Sequence, residues 1–118
     1  MQDLRLRTRE FALRIIRLYK ALPRSLDAQV LGKQILRSGT SVGAHYREAY
    51  RAKSNADFVN KLEGALQELD ETSYWLELLG ASGTIKEARL RHLQSECDEL
   101  TAMFVAMTKS TKRKAAHS

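Results

Sequence analysis

The sequence predicts an all-α fold: an up-down-up-down antiparallel four-helix bundle that forms an oligomer. Apolar residues recur at alternating spacings of three and four along four segments, and short turn signals separate these segments. Apolar side chains that a single core does not need indicate the oligomer. At 118 residues the chain suits one domain. We predict the bundle over residues 1–108 and a basic, disordered tail over residues 109–118, which lack apolar periodicity.

The first helix is predicted from Asp3 to Ala21 by a core stripe at four-three spacing. That stripe consists of Leu4, Thr8, Phe11, Ile15, Leu18 and Leu22. Pro23 ends the helix, because the residue before a proline is disfavoured in the α region. Leu13 and Ile16 lie on the opposite side from the stripe, where a lone bundle would expose them.

The second helix should be central. It begins at Ser25 or Asp27, either of which can cap a helix, and reaches about Ala52. Its stripe consists of Leu31, Ile35, Ser38, Val42, His45 and Ala49. Three glycines, each costing about 0.5–1 kcal/mol inside a helix, predict a close approach of backbones: Gly32, Gly39 and Gly43. One interpretation is a tight helix crossing within one bundle. The alternative adds a contact between subunits to that crossing.

The third helix begins after Ser54, because Asp57 three residues later approximates a capping box. Thr84 and Glu87 form a second capping box, which predicts the start of the fourth helix. Near the end of the third helix, an apolar patch lies away from the core stripe. Together with the surplus residues of the first helix, it gives the predicted oligomer interface: Leu13, Ile16, Gly64, Tyr74, Trp75 and Leu78.

The second and third helices resemble a signature of bacterial four-helix-bundle proteins, the 23S rRNA-intervening-sequence protein family. That signature reads L-x-x-Q-x-x-R-x-x-x-S-I-x-x-N-x-x-E, then F-x-x-x-L-x-x-A-x-x-x-x-x-E. The matching residues are Leu31, Gln34, Arg37, Ser41, Val42, His45, Glu48, Phe58, Leu62, Ala65 and Glu71. His45 replaces the usual asparagine, and Ala49 the usual glycine. The resemblance implies a homo-oligomer, with rings of five expected. It also implies a relation to the accessory proteins of diversity-generating retroelements, which bind nucleic acid and a reverse transcriptase.

Polar residues of this signature are predicted to form a network that fixes register and oligomer choice. They are Gln34, Arg37, Ser41, His45, Glu48 and Glu71. Arg37 and Glu48 are too far apart on one helix to touch, so their partners should lie on other helices or chains. We predict no metal and no cofactor, since a di-iron bundle needs two Glu-x-x-His pairs and His45 with Glu48 supplies one reversed pair. Cys97, at a core position, should be a buried small hydrophobe.

Charge divides the sequence into a basic and an acidic half. Residues 1–53 hold twelve Lys and Arg against four Asp and Glu, whereas residues 54–108 hold four against ten. A basic surface suggests a polyanionic partner, RNA or DNA, held through its phosphates. The candidate contacts are Arg7, Arg14, Arg17, Lys20, Arg24, Lys112, Arg113 and Lys114. Candidates for base stacking are few (Tyr19, Tyr46 and Tyr50), which favours backbone binding without sequence readout.

The sequence therefore predicts a non-enzymatic, oligomeric nucleic-acid-binding bundle. No nucleophile has a convincing base beside it, and there is no phosphate-binding loop motif. The alternative is a homo-oligomeric scaffold whose charged halves attract each other or a protein partner, without nucleic acid. One cysteine, no apolar run of membrane-spanning length and no signal-peptide pattern predict a cytoplasmic protein that does not enter membranes.

Overall fold

The structure, a computed structural model, describes residues 3–116 and folds into four α-helices, with no strand in that range. Their bounds are α1 Leu4–Ala21, α2 Leu26–Tyr50, α3 Asn55–Ala81 and α4 Glu87–Ala116. The molecule measures 53 × 22 × 20 Å. The prediction of an all-α, four-helix fold is confirmed. No helix within residues 3–116 is long and apolar enough to cross a membrane.

Side-chain capping hydrogen bonds explain where α1 and α3 begin. Asp3 Oδ1 accepts the backbone N–H groups of Arg5 and Leu6, at 3.0 and 3.3 Å, and so caps α1. Ser25, rather than Asp27, occupies the N-cap position of α2. Ser54 Oγ accepts the Asp57 N–H at 3.1 Å, which confirms the predicted start of α3.

The start of α4 differs from the prediction. The helix begins at Glu87 instead of directly after Thr84. Ile85 is buried, and its N–H donates to Leu79 O at 3.3 Å, which holds the loop against the end of α3. Gly83 turns the chain with a φ of 77°, a conformation that favours glycine. Because Ile85 contributes to the core, the loop uses two residues, Ile85 and Lys86, that the capping-box pattern had assigned to the helix.

The end of α4 corrects the prediction of a disordered tail. The helix continues through Lys109 to Ala116, and residues 117–118 of the predicted tail lie outside the described range. Thr108 is buried, so tertiary packing extends to the start of the supposed tail. Lys112 Nζ lies 3.5 Å from Glu63 Oε2 of α3. Basic residues in the last turn, Arg113 and Lys114, also interact favourably with the helix dipole. The positive charge of the tail therefore stabilises a helix here.

The three glycines of α2 all face α1. A Cβ added at Gly39 would lie 2.7 Å from Ile15 Cγ1, and one at Gly43 would lie 3.2 Å from Thr8 Oγ1. One at Gly32 would lie 2.6 Å from Leu22 Cδ1. The tight crossing within one chain is therefore confirmed, whereas a subunit contact through this helix stays a prediction.

Hydroxyl groups are buried between α2 and α3. Thr72 Oγ1 lies 2.7 Å from Ser38 Oγ, and both side chains are fully buried. Thr72 Oγ1 also lies 2.8 Å from Glu68 O, one turn earlier on its own helix. The apolar residues that surround this pair form one core, so these two hydroxyls satisfy each other where water does not reach.

Candidate nucleic-acid interface

Arg7, the first of the predicted phosphate contacts, is bound to two glutamates of α4. Its Nε and Nη2 atoms donate to the two carboxylate oxygens of Glu96 at 2.8 and 2.6 Å, and Nη2 also donates to Glu99 at 3.0 Å. The Arg7 and Glu96 side chains are only 17% and 15% exposed. The hydrogen bonds that Arg7 donates to Glu96 raise the pKa of Arg7 above its ordinary value. This guanidinium therefore connects α1 to α4 and is not directed at a ligand.

Arg14 and Arg17, two more of the predicted phosphate contacts, line an open groove between α1 and α4. The groove has a volume of about 300 Å³. Arg89 and His92 of α4 line its other side. Both α4 residues belong to residues 54–108, whose net charge is negative, yet they give the groove basic side chains on its second wall as well. We call it the α1/α4 groove.

The remaining predicted contacts are exposed but dispersed. Lys20 and Arg24 lie near the end of α1 and in the following turn. Lys112, Arg113 and Lys114 lie on the last turns of α4, held by the helix and not on a flexible tail. Because Lys112 is paired with Glu63, part of this charge is neutralised within the chain.

A second basic site, which the sequence analysis missed, joins the start of α1 to the end of α2. Two adjoining clefts of about 230 and 250 Å³ share three lining residues, Arg5, Arg9 and Arg47. Arg51, the residue after α2, lines the first cleft too. We call Arg5, Arg9, Arg47 and Arg51 the arginine cluster.

The charges of the arginine cluster are largely uncompensated. Within residues 3–116, Arg5, Arg47 and Arg51 have no carboxylate at ion-pair distance, and Arg9 pairs only with the exposed Glu10 next to it. Asp3 lines the first cleft, but its carboxylate is engaged in capping α1. Four guanidinium groups around adjoining clefts form a surface suited to phosphates.

A tyrosine lies beside the arginine cluster. Tyr50 lines the first cleft and is 60% exposed, with the Arg5 guanidinium carbon 4.6 Å from the centre of its ring. The other two stacking candidates are occupied: Tyr46 stacks on Phe104, and Tyr19 packs against Gly32. Burial raises the pKa of Tyr46 above its usual range. Tyr50 is therefore the candidate whose ring solvent and ligands can reach.

Helical spacing could have revealed the arginine cluster. Arg5 and Arg9 are four residues apart, as are Arg47 and Arg51, so each pair lies along one face of its helix. In an antiparallel hairpin the start of α1 lies beside the end of α2, which brings the two pairs together. The predicted contacts on α1 were instead those that lie to one side of its core stripe, and the ends of α1 and α2 were not paired.

The predicted polar network separates into two groups between α2 and α3. In the first, Arg37 donates to Glu71 at 2.5 Å and to Glu68 at 3.2 Å, with Gln34 Oε1 3.4 Å away. The hydrogen bond that Arg37 donates to Glu71 raises the pKa of Arg37. In the second, Glu48 lies 3.3 Å from Lys61 Nζ. The partners of Arg37 and Glu48 are thus on another helix of the same chain, as the sequence allowed.

Ser41 and His45 make no hydrogen bond to each other. Ser41 Oγ donates to Arg37 O of its own helix at 2.6 Å. His45 packs on Gly64, and its buried Nδ1 has no hydrogen-bond partner among the described residues. Residues 3–116 contain no group of three or more His, Cys, Asp or Glu placed to hold a metal ion.

Comparison with known proteins identifies the family. The model of the 23S rRNA-intervening sequence protein family matches residues 3–106, nearly the whole helical domain. The chain belongs to this family. No curated protein matches the sequence. A crystal structure from Bacteroides thetaiotaomicron, described as a protein of unknown function from the S23 ribosomal protein family, is similar: it shares 43% identity with a TM-score of 0.85. The match covers 91% of this chain and 99% of that one.

The residues predicted to join subunits of this family member divide into two sets. Leu13, Ile16 and Leu78 are half-buried, and Tyr74 is 52% exposed. Trp75 instead packs against the core of its own chain, with Nε1 buried. Gly64 makes room for His45. Trp75 and Gly64 thus have a role within one chain, which the sequence pattern did not reveal. Leu6, Leu26 and Val30 are further apolar side chains that the fold exposes.

Proposed function

We propose that this protein is a non-enzymatic, oligomeric bundle that binds the phosphate backbone of nucleic acid. The observation that carries the proposal is the arginine cluster, which lines adjoining clefts and has little compensating charge. Guanidinium groups suit phosphates because their planar fork can donate two parallel hydrogen bonds. The α1/α4 groove supplies a second basic surface on the other side of α1.

The structure also supplies reasons to prefer this function to catalysis. The Ser41 hydroxyl is engaged with its own helix, and His45 is held against Gly64. The basic clefts contain arginines and no adjacent nucleophile and base. Binding by charge requires only that phosphates reach the surface, which the exposed arginines allow.

We further propose that the bundle is up-down-up-down, antiparallel and homo-oligomeric, with the ring of five that its family resemblance implies. The contacts support the antiparallel order: from Thr8 to Leu22 along α1, the facing glycines of α2 run back from Gly43 to Gly32. Apolar side chains that one chain leaves exposed, among them Leu6 and Tyr74, would become buried between subunits of the oligomer. An oligomer would repeat the arginine cluster and increase affinity by avidity.

Binding is tested by fluorescence anisotropy with labelled RNA and DNA across a range of salt concentrations. The affinity should fall steeply with salt, because each phosphate contact releases counterions. The double variant Arg47→Ala, Arg51→Ala should bind more weakly and reduce the salt slope by about 2. The matched control is Lys33→Ala, Lys86→Ala, which removes the same charge outside both basic surfaces and should bind nearly as the native protein does.

Sizing of the same proteins separates this function from the scaffold alternative. The scaffold uses the charged halves for assembly, so the arginine variant would change its oligomeric state by light scattering. Arg7, whose side chain is only 17% exposed, and the more exposed Arg37 already pair with glutamates of the acidic half within one chain. An oligomer that binds neither RNA nor DNA at low salt would rule out the nucleic-acid function.

Assembly is tested by light scattering over the micromolar range. Ile16→Asp should weaken the oligomer, because it places a charge on the proposed contact surface, while circular dichroism shows the helices retained. Ala21→Asp is the matched control, since it adds the same charge at an exposed position of the same helix. A monomeric native protein would contradict the oligomer.

A further inference from the structure

The position of Tyr50 extends the proposed function to a class of nucleic acid. This ring is 60% exposed at the end of α2, although a tyrosine gains stability by burying its apolar face. It lines the same cleft as four arginines. An exposed ring beside phosphate-binding groups is the arrangement in which proteins hold unpaired bases.

We propose that Tyr50 and the arginine cluster bind single-stranded nucleic acid, with a base stacked on the Tyr50 ring and the adjacent phosphates on the arginines. This inference rests on the proposed function, because it assigns a ligand to the same basic site. The Arg5 guanidinium, 4.6 Å from the ring centre, links the two parts. A cation in this position is attracted by the ring and is held near the cleft before a ligand arrives.

The strand would follow the two clefts. They share Arg5, Arg9 and Arg47, so they form one continuous basic path from Tyr50 towards the middle of α1 and α2. Thr8, Thr40 and Gly43 line the inner part of that path, where no acidic residue is found. A backbone laid along it therefore meets cations and small side chains.

Duplexes lack a free base to offer this site. Their bases stack on each other, and only their phosphates would reach the arginines. Single strands expose base faces, and stacking is tolerant of sequence because every base has a π-face. The α1/α4 groove has arginines and a histidine but no tyrosine, phenylalanine or tryptophan, so it should treat single strands and duplexes alike.

The test compares Tyr50→Leu with Tyr50→Phe. Leucine keeps apolar bulk without a π-face, whereas phenylalanine keeps the ring. Each protein is titrated by anisotropy with RNA and DNA single strands of about 12 nucleotides. The same titrations use a duplex and an abasic strand with equal phosphate counts. Circular dichroism and light scattering check that each variant retains the native helix content and size.

Tyr50→Leu should weaken binding of both single strands by about 5- to 150-fold, the range for losing one stacked base. It should leave the duplex and the abasic strand unchanged, and Tyr50→Phe should bind as the native protein does. An equal loss on all ligands would mean that Tyr50 only positions Arg5, and no loss would mean that no base stacks there. Either result overturns this inference while the phosphate-binding function stands. That function fails separately, if the native protein binds none of the ligands.

Discussion

The imidazole of His45 fills the space beside Gly64, where a Cβ would lie 2.9 Å from Nδ1 and 3.0 Å from Cε1. This contact joins α2 to α3. It also explains why a glycine is found inside α3, where it weakens the helix.

The first prediction is that Gly64 and His45 are energetically coupled. Gly64→Ala should destabilise the protein by about 1–3 kcal/mol, because the new methyl group and the imidazole cannot both fit. In a His45→Ala background the same change should stabilise it by up to about 1 kcal/mol, the helix propensity gained. Denaturant unfolding of the four proteins measures both values. An equal effect of Gly64→Ala in both backgrounds would disprove the coupling.

A second prediction concerns His45→Asn, which restores the residue typical of the family signature. The substitution should change stability by less than about 1 kcal/mol, because Nδ1 makes no hydrogen bond in residues 3–116 that would be lost. Denaturant unfolding provides the measurement, and elemental analysis of the purified protein accompanies it. Stoichiometric iron, manganese or zinc that disappears on substitution would instead show that His45 binds a metal.

The third prediction separates two arginines of α1. Arg7→Ala should cost about 1.5–3 kcal/mol, because it leaves the half-buried Glu96 without its charge-assisted hydrogen bonds. Arg9→Ala removes an exposed pair with Glu10 and should cost less than about 1 kcal/mol. Thermal and denaturant unfolding compare them. Similar small losses for both would indicate that the contact between α1 and α4 contributes little.

Cys97 provides the fourth prediction. Burial raises the pKa of its thiol to about 12, from an ordinary value of 9.0. The thiol should therefore resist alkylation at pH 8 in the native protein and react once denatured. Since the unfolded thiol ionises near pH 9 and the folded one does not, stability should decline from about pH 9 towards pH 12. Cys97→Ala should lack this component of the decline, and rapid labelling of the native protein would contradict the burial.

The fold could be predicted largely from local information. The core stripe of α1, which includes Phe11 and Ile15, is readable because helical spacing places its members on one face. The cap at Ser54 needs only residues within one turn. The tail could not be predicted in this way, because its helix continues from the buried Thr108 and is joined to α3 by the contact of Lys112 with Glu63.

The candidate site was less accessible from the sequence. Arg7 was chosen as a phosphate contact, but the glutamate that binds it is 89 residues away. The arginine cluster combines Arg5 and Arg47 from different helices, so its two i, i+4 pairs come together only once the start of α1 is placed beside the end of α2. Arg89 lies in a segment whose net charge is negative, which concealed its contribution to the α1/α4 groove. Charge counted along a chain does not give charge on a surface.

The buried hydroxyl pair of Ser38 and Thr72 has a consequence for the evolution of the family. Losing Thr72 alone would leave the buried Ser38 hydroxyl with only Ile35 O, 3.5 Å away, at a cost of about 1–3 kcal/mol. Losing Ser38 alone should cost less, because Thr72 can still donate to Glu68 O at 2.8 Å. Replacing both with apolar residues of similar shape could be nearly neutral. Across homologues, a hydroxyl at position 38 should therefore be accompanied by a hydroxyl at position 72, whereas a hydroxyl at position 72 can occur beside a hydrocarbon.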